Sequence, residues 1–198
     1  MNRKLFFIAD THFGHSNIIK FDNRPFENID EMETILIQNW NNTVTEKDIV
    51  YILGDFCWSR SESEWIRILK LLNGQKVLIK GNHDLKQMSA TLKNMFADIK
   101  EYKEIKENGI KIIMSHYPIP FYRGSFNENT FMLHGHVHET TLENNMLKQL
   151  LDTMQVYKET YPHDCNKVQI YNVGCMTDVM KYTPRTLNEI VGRKVFDE

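Results

Sequence analysis

The sequence lacks a charge surplus of either sign, any long apolar run, and a paired set of cysteines. Lysine and arginine total 24 against 26 aspartate and glutamate, a formal net charge of −2. Proteins that track nucleic-acid phosphates ordinarily carry an evident basic surplus, so no stable nucleic-acid partner is expected. The early apolar run Leu5–Ala9 stops at Asp10, too soon for a signal-peptide core. No stretch approaches the roughly 20 apolar residues that span a bilayer, so no membrane association is expected. The three cysteines, Cys57, Cys165 and Cys175, match no zinc ribbon or redox pair. A reducing cytoplasm is therefore the expected compartment.

What is present suits one core. A chain of 198 residues, 41% of them hydrophobic, is read as a single domain over residues 1–198. Short apolar runs at Leu5–Ala9, Ile49–Leu53, Val77–Ile79, Ile110–Met114, Phe131–Leu133 and Val168–Val173 read as buried strands. Apolar alternation near Ile99–Ile105 followed by Asn108-Gly109 signals a hairpin. Helical spacing begins after Asp30, read as an N-cap with Glu33 completing a capping box. It recurs from Trp65 to Leu72, ahead of a C-cap at Gly74, and around Leu85–Phe96. The Leu and Met stripe of residues 142–157 reads as a long amphipathic helix packed on the core. The interleaved Lys and Glu of residues 93–111 read as a solvated face. Early alternation of strand and helix, then mostly strands, gives an α/β (α+β) layered sandwich.

Five of the strands end in residues that a packed core would reject. These are Asp10-x-His12, Gly54-Asp55, Asn82-His83-Asp84, His116 and His136-x-His138. Ligands of open α/β sheets bind beyond the carboxyl ends of the strands, so the five segments are expected to converge. Of the 8 histidines, only His163 lies clearly apart from them. Carboxylates, imidazoles and one amide, with no thiolate, suit divalent Mn, Fe, Ni or Zn and exclude thiolate-rich chemistry. Gly54, Gly81 and Gly135 each precede one of these residues, where the backbone must turn sharply or approach closely.

The five segments, in this order, resemble the calcineurin-like metallophosphoesterase superfamily. The tail Asn172-Val173-Gly174 through Tyr182-Thr183-Pro184-Arg185, with Asp10-Thr11-His12-Phe13-Gly14-His15 and Arg24-Pro25-Phe26, is similar to a compact bacterial and phage branch. The resemblance implies two mixed β-sheets flanked by helices. It also implies two divalent ions, manganese first, with Fe, Ni or Zn compatible. Asp10, His12 and His138 would bind one ion and Asn82, His116 and His136 the other, with Asp55 bridging. A hydroxide held between the ions would attack phosphorus. His83 would act as general acid and Asp84 would orient its ring.

Asn82, His15 and Arg24 are the candidate substrate contacts, Arg24 because a loop arginine can grip phosphate bidentately. His134, outside the ligand pattern, is read as a residue supporting the ligands from behind or as a structural one. The short, slightly acidic chain favours a small phosphorylated substrate, a phosphodiester or phosphomonoester such as a nucleotide derivative. Two alternatives are a nuclease on the same centre and a non-catalytic metal-binding interaction module on the same fold.

Overall fold

The computed structural model describes residues 3–139, 141–160 and 168–195. His163 and Cys165 lie outside the described residues. Two four-stranded sheets form the centre. The first contains β1 (Leu5–Ile8), β2 (Ile49–Ile52), β3 (Gln75–Ile79) and β4 (Asp98–Lys100), side by side in that order and all parallel. The second contains β5 (Tyr102–Glu107), β6 (Ile110–Ser115), β7 (Thr130–His134) and β8 (Ile170–Asn172). Here β5 and β6 are antiparallel, and β6, β7 and β8 run parallel. Parallel strands are covered on both faces, which is why β2 and the Val77–Ile79 and Phe131–Leu133 stretches of β3 and β7 appear in the sequence as apolar runs.

The helices are α1 (Ile18–Phe21), α2 (Ile29–Thr43), α3 (Glu62–Leu71), α4 (Ala90–Lys93), α5 (Leu142–Thr160) and α6 (Leu187–Val191). Helix α2 buries Met32, Leu36 and Trp40, and α3 buries Trp65, Ile68 and Leu69. Both tryptophans are fully buried, and each satisfies its indole N–H on a carbonyl, Trp40 on Asn73 O at 3.0 Å and Trp65 on Ser59 O at 2.9 Å. Removing either ring would cost about 3–5 kcal/mol.

The two sheets are joined at their carboxyl ends. Beyond β8, Val173 N donates to His134 O at 2.8 Å, while Val173 O accepts from Ala9 N at 2.8 Å. Cys175 N then donates to Ala9 O at 2.8 Å. The segment after β8 therefore lies against the ends of both β7 and β1.

The layered two-sheet architecture is the one expected, with the first sheet wholly parallel rather than mixed. Several local expectations differ. The N-cap of α2 is Asn28, whose side chain accepts from Glu31 N, so Asp30 sits in the first turn. Glu33 instead accepts from Gly14 N and pairs with Arg67, both at 2.9 Å. The helix expected over Leu85–Phe96 shortens to α4, capped by Ser89. The alternating stretch near Ile99–Ile105 splits between two sheets, ending as β4 and restarting as β5. The Asn108-Gly109 hairpin is present, with φ of 50° and 82°. Helix α5 forms; Leu147, Leu150, Leu151 and Met154 are half-buried, while Leu142 and Met146 are 73% and 60% exposed, so the apolar stripe is covered only in part.

Candidate metal centre

Past the formal strand ends, β1 and β2 continue to pair. Asp10 N donates to Gly54 O, His12 N to Asp55 O and Phe13 N to Phe56 O, each at 3.0 Å. This extension carries Asp10, His12 and Asp55 to one place, all buried. The backbone is strained to do so. Asp10, His12, Asp55 and His136 adopt φ of 54°, 50°, 50° and 66°, in the left-handed region where non-glycine residues are uncommon. Such strain costs of order 1–3 kcal/mol per residue and persists where surrounding structure enforces it.

Asp10, His12 and His138 each offer one ligand atom within 4.8 Å of the others, and so do Asp10, Asp55 and His116. Asp55 faces both histidine groups: Oδ1 lies 3.6 Å from His116 Nε2, and Oδ2 lies 3.7 Å from His12 Nε2. Asn82 Oδ1 lies 2.9 Å from His116 Nε2 and 3.0 Å from His136 Nδ1. The structure thus gathers all seven residues expected as ligands, in two groups that meet at Asp55 and Asp10. The three glycines pack against ligand atoms. A Cβ at Gly54 would stand 2.3 Å from His116 Nδ1, at Gly81 2.3 Å from Asp55 Oδ1, and at Gly135 2.5 Å from Asp10 Oδ2.

The residues fit divalent cations on their own chemistry. Both ring nitrogens of His12 are buried and have no hydrogen-bond partner among the described residues, an arrangement that wants a Lewis acid. Burial, then the Arg24 charge, holds His12 well below its usual pKa, so the ring is neutral and able to ligate. Burial raises the Asp10 carboxyl to about 6 despite His116 and His138, and nearby Asp55 adds to the rise. A cation offsets that cost. The two described thiols do not compete, because burial pushes Cys57 and Cys175 up to about 12.

Two partners of the site were not foreseen. Asp22 Oδ1 lies 2.6 Å from His138 Nδ1, leaving Nε2 turned to Asp10 Oδ1 at 3.9 Å. Burial lowers the pKa of His138, but the Asp22 hydrogen bond and the Asp10 charge outweigh it, and the net shift is upward. Trp58 is the other. His15 stacks on it at 3.8 Å and 5°, and the His83 ring lies 4.6 Å from it, tilted by 46°. His15, 8% exposed, thus lines the site rim, 5.5 Å from the His12 ring.

Two expected roles are corrected. Arg24 is not a phosphate grip. It is 4% exposed, and its guanidinium is committed to Thr11 O at 3.1 Å, Asp10 O at 2.8 Å, Met32 Sδ at 3.7 Å and twice to Asp22 Oδ2. All five donors are used, so it braces the strained Asp10–Thr11 backbone. Asp84 does not orient His83. Its carboxylate accepts from Gly81 N at 2.8 Å, Phe56 N at 2.9 Å and Asp55 N at 3.2 Å, clamping two strand ends together. His83 is fixed by its backbone, N donating to Asp55 Oδ1 at 2.9 Å. His134 is structural: Nδ1 lies 2.8 Å from Gly135 O, and burial lowers its pKa to about 4.

Relatives of the chain place this geometry. The family model described as calcineurin-like phosphoesterase matches residues 3–173. An uncharacterized protein of Methanocaldococcus jannaschii is 38% identical over 190 residues, covering 96% of this chain and 90% of its own. The gene 66 protein of Mycobacterium phage D29 is 24% identical over 189 residues, covering 81% and 92%. A solved structure of a protein of unknown function from Aquifex aeolicus superposes with a TM-score of 0.68 at 29% identity, covering 96% of this chain and 99% of that one. The matched span takes in every residue gathered at the strand ends, from Asp10 to His138, and with it the chain belongs to the calcineurin-like phosphoesterase family.

Proposed function

We propose that the protein hydrolyses a small phosphoester, a phosphodiester or phosphomonoester of nucleotide type, at a centre of two divalent ions. The observation that carries this reading is the position of Asp55, with one carboxylate oxygen toward His116 and the other toward His12. One ion would be held by Asp10, His12 and His138, and the other by Asn82, His116 and His136, with Asp55 between them. Such ions act as Lewis acids that lower the pKa of water and offset charge on phosphoryl oxygens. Manganese is the first choice, and iron, nickel or zinc suit the same donors. In this reading the cytoplasm is the working compartment; no helix among the described residues is long and apolar enough to cross a membrane.

The protein's own groups supply the rest. His83 lies 6.0 Å from His12, ring centre to ring centre, on the partly exposed side of the site. From there it would protonate the departing oxygen, a contribution of about 10²–10⁴-fold. Trp58 and His15 form a wall beside it that limits where its ring can turn. Asn82 would share its amide between ion and substrate.

The test is His83→Asn and His83→Ala, assayed on bis(p-nitrophenyl) phosphate and on an alkyl ester with a poor leaving group. Turnover of the alkyl ester should fall at least about 100-fold while metal content holds. Unchanged turnover removes His83 from the role. A parallel panel with p-nitrophenyl phosphate, a cyclic nucleotide and single-stranded DNA, under Mn, Ni, Zn and Mg, separates the small-ester reading from a nuclease. Metal binding without turnover of any member would leave a binding module.

A further inference from the structure

A cavity of about 760 Å³ opens beside β3 and α4, lined by Lys80, Lys86, Lys93, Met88, Phe96 and Ile99 among others. A second, of about 700 Å³, shares Lys80 and Lys86 with it and reaches Gly81, Asn82 and Tyr117. The two adjoin at Lys80 and Lys86 and are taken together as one cleft, whose second part reaches the metal-centre residue Asn82. Lys80 stands two residues before Asn82, so their Cα atoms are within about 7 Å. The cleft lining carries three lysines, Lys80, Lys86 and Lys93, against three acidic residues, but two of those carboxylates are engaged elsewhere. Its acidic residues are Asp84, Asp98 and Glu101. Asp84 is buried on backbone amides, and Asp98 is taken by Lys103 at 2.6 Å and Lys100 at 3.5 Å. Among the described residues, no carboxylate comes within 4.0 Å of the ammonium of Lys80, Lys86 or Lys93. Lys80 donates only to a carbonyl, Lys86 O at 3.2 Å, which holds the loop. Sequence pattern placed Lys93 with the solvated Lys–Glu face. The Lys–Glu pairing on that face is Lys111 with Glu104, and Lys93, exposed as expected, also lines the cleft.

Unpaired ammonium groups around an apolar floor fit an anion joined to a flat or apolar body. We propose that this cleft binds a second phosphate of the substrate, so that preferred substrates are nucleotide-like esters carrying two phosphate groups. The proposal rests on the phosphoesterase reading, since it places the scissile group at the metal centre. Met88, Phe96 and Ile99 would lie under the connecting sugar or base, and Lys86 and Lys93 would take the distal phosphate.

The experiment is calorimetric titration of metal-loaded protein with thymidine 5′-monophosphate and with thymidine 3′,5′-bisphosphate. The bisphosphate should bind at least about tenfold more tightly. The double variant Lys86→Gln/Lys93→Gln should reduce that preference to about threefold or less, as should roughly 0.5 M sodium chloride, because exposed charges are screened. Both side chains are exposed, so folding is not at stake, and Lys80 is left in place to hold the loop. Equal affinities in the parent protein, or the full preference retained in the double variant, overturns the proposal. Turnover of bis(p-nitrophenyl) phosphate is measured separately, so failure of the phosphoesterase reading is distinguished from failure of the second-phosphate site.

Discussion

Asp22 holds His138 in one tautomer: its carboxylate lies 2.6 Å from Nδ1, which leaves Nε2 free to face Asp10. A carboxylate behind a ligating imidazole fixes the ring and raises its basicity. Replacing Asp22 by Asn should weaken metal binding by about 10–100-fold, read by titration of the apoprotein with Mn or Zn. Affinity equal to the parent would show that His138 is oriented by other means.

Arg24 gives the opposite kind of expectation. With its five donors spent inside the protein, Arg24→Met removes the donors to Asp22 Oδ2 and Thr11 O and the guanidinium donor to Asp10 O, leaving the buried Asp22 carboxylate with His138 alone among the described residues. The loss should be about 3–5 kcal/mol in urea or guanidinium unfolding. KM of the surviving folded protein should hold. A raised KM at unchanged stability would restore Arg24 as a substrate contact.

Gly81→Ala tests space rather than flexibility. The new methyl would meet Asp55 Oδ1 at 2.3 Å and Asp55 N at 2.6 Å, both fixed by the surrounding strand ends. Metal stoichiometry should fall along with turnover. Gly109→Ala is the control, strained by its φ of 82° but with nothing within 4 Å of the added atom, and it should cost stability while keeping metal.

Asp48 carries a pH prediction well away from the centre. Burial would raise its pKa, but amide donation from Lys4 at 2.9 Å and from Thr45 at 2.8 Å, with the Thr45 hydroxyl at 2.7 Å, turns the net shift downward. A folded-state pKa below the unfolded value of 3.8 gives stability that is present above that value and lost as pH falls through the folded one. Asp48→Asn should therefore cost about 1–2 kcal/mol at neutral pH, with the gap to the parent closing below pH 3.8. Thermal unfolding at several pH values checks this, and a gap independent of pH would refute it.

The strand ends were legible because parallel strands are apolar throughout and stop abruptly, so Asp10, Asp55, Asn82, His116 and His136 stand out against what precedes them. Asp22 and Trp58 were not. Asp22 meets its partner 116 positions along the chain, and nothing near it in sequence marks the pairing. Trp58 follows a short polar break after β2 and has no periodic neighbours to assign it a face. Arg24 was misread because a polar loop can still be covered, and burial of a loop depends on what folds over it. The Leu85–Phe96 helix failed for a local reason: Asp84 is drawn back to Gly81, Asp55 and Phe56, and the chain forms a regular turn only after Ser89 caps it.

The strand that delivers Asp10 is held along one edge by β2 and along the other by residues that come more than 160 positions later. Phe7 N donates to Arg185 O at 2.9 Å and Arg185 N returns to Phe7 O at 3.2 Å, beyond the Ala9 contacts with Val173 and Cys175. The strand waits for residues far along the chain before it is enclosed. Closing so long a loop is entropically slow, and an unpaired strand edge is exposed until it happens. During synthesis the residues around Asp10 would emerge well before the partners that cover their second edge, so the site they belong to is enclosed in one late step rather than by gradual assembly.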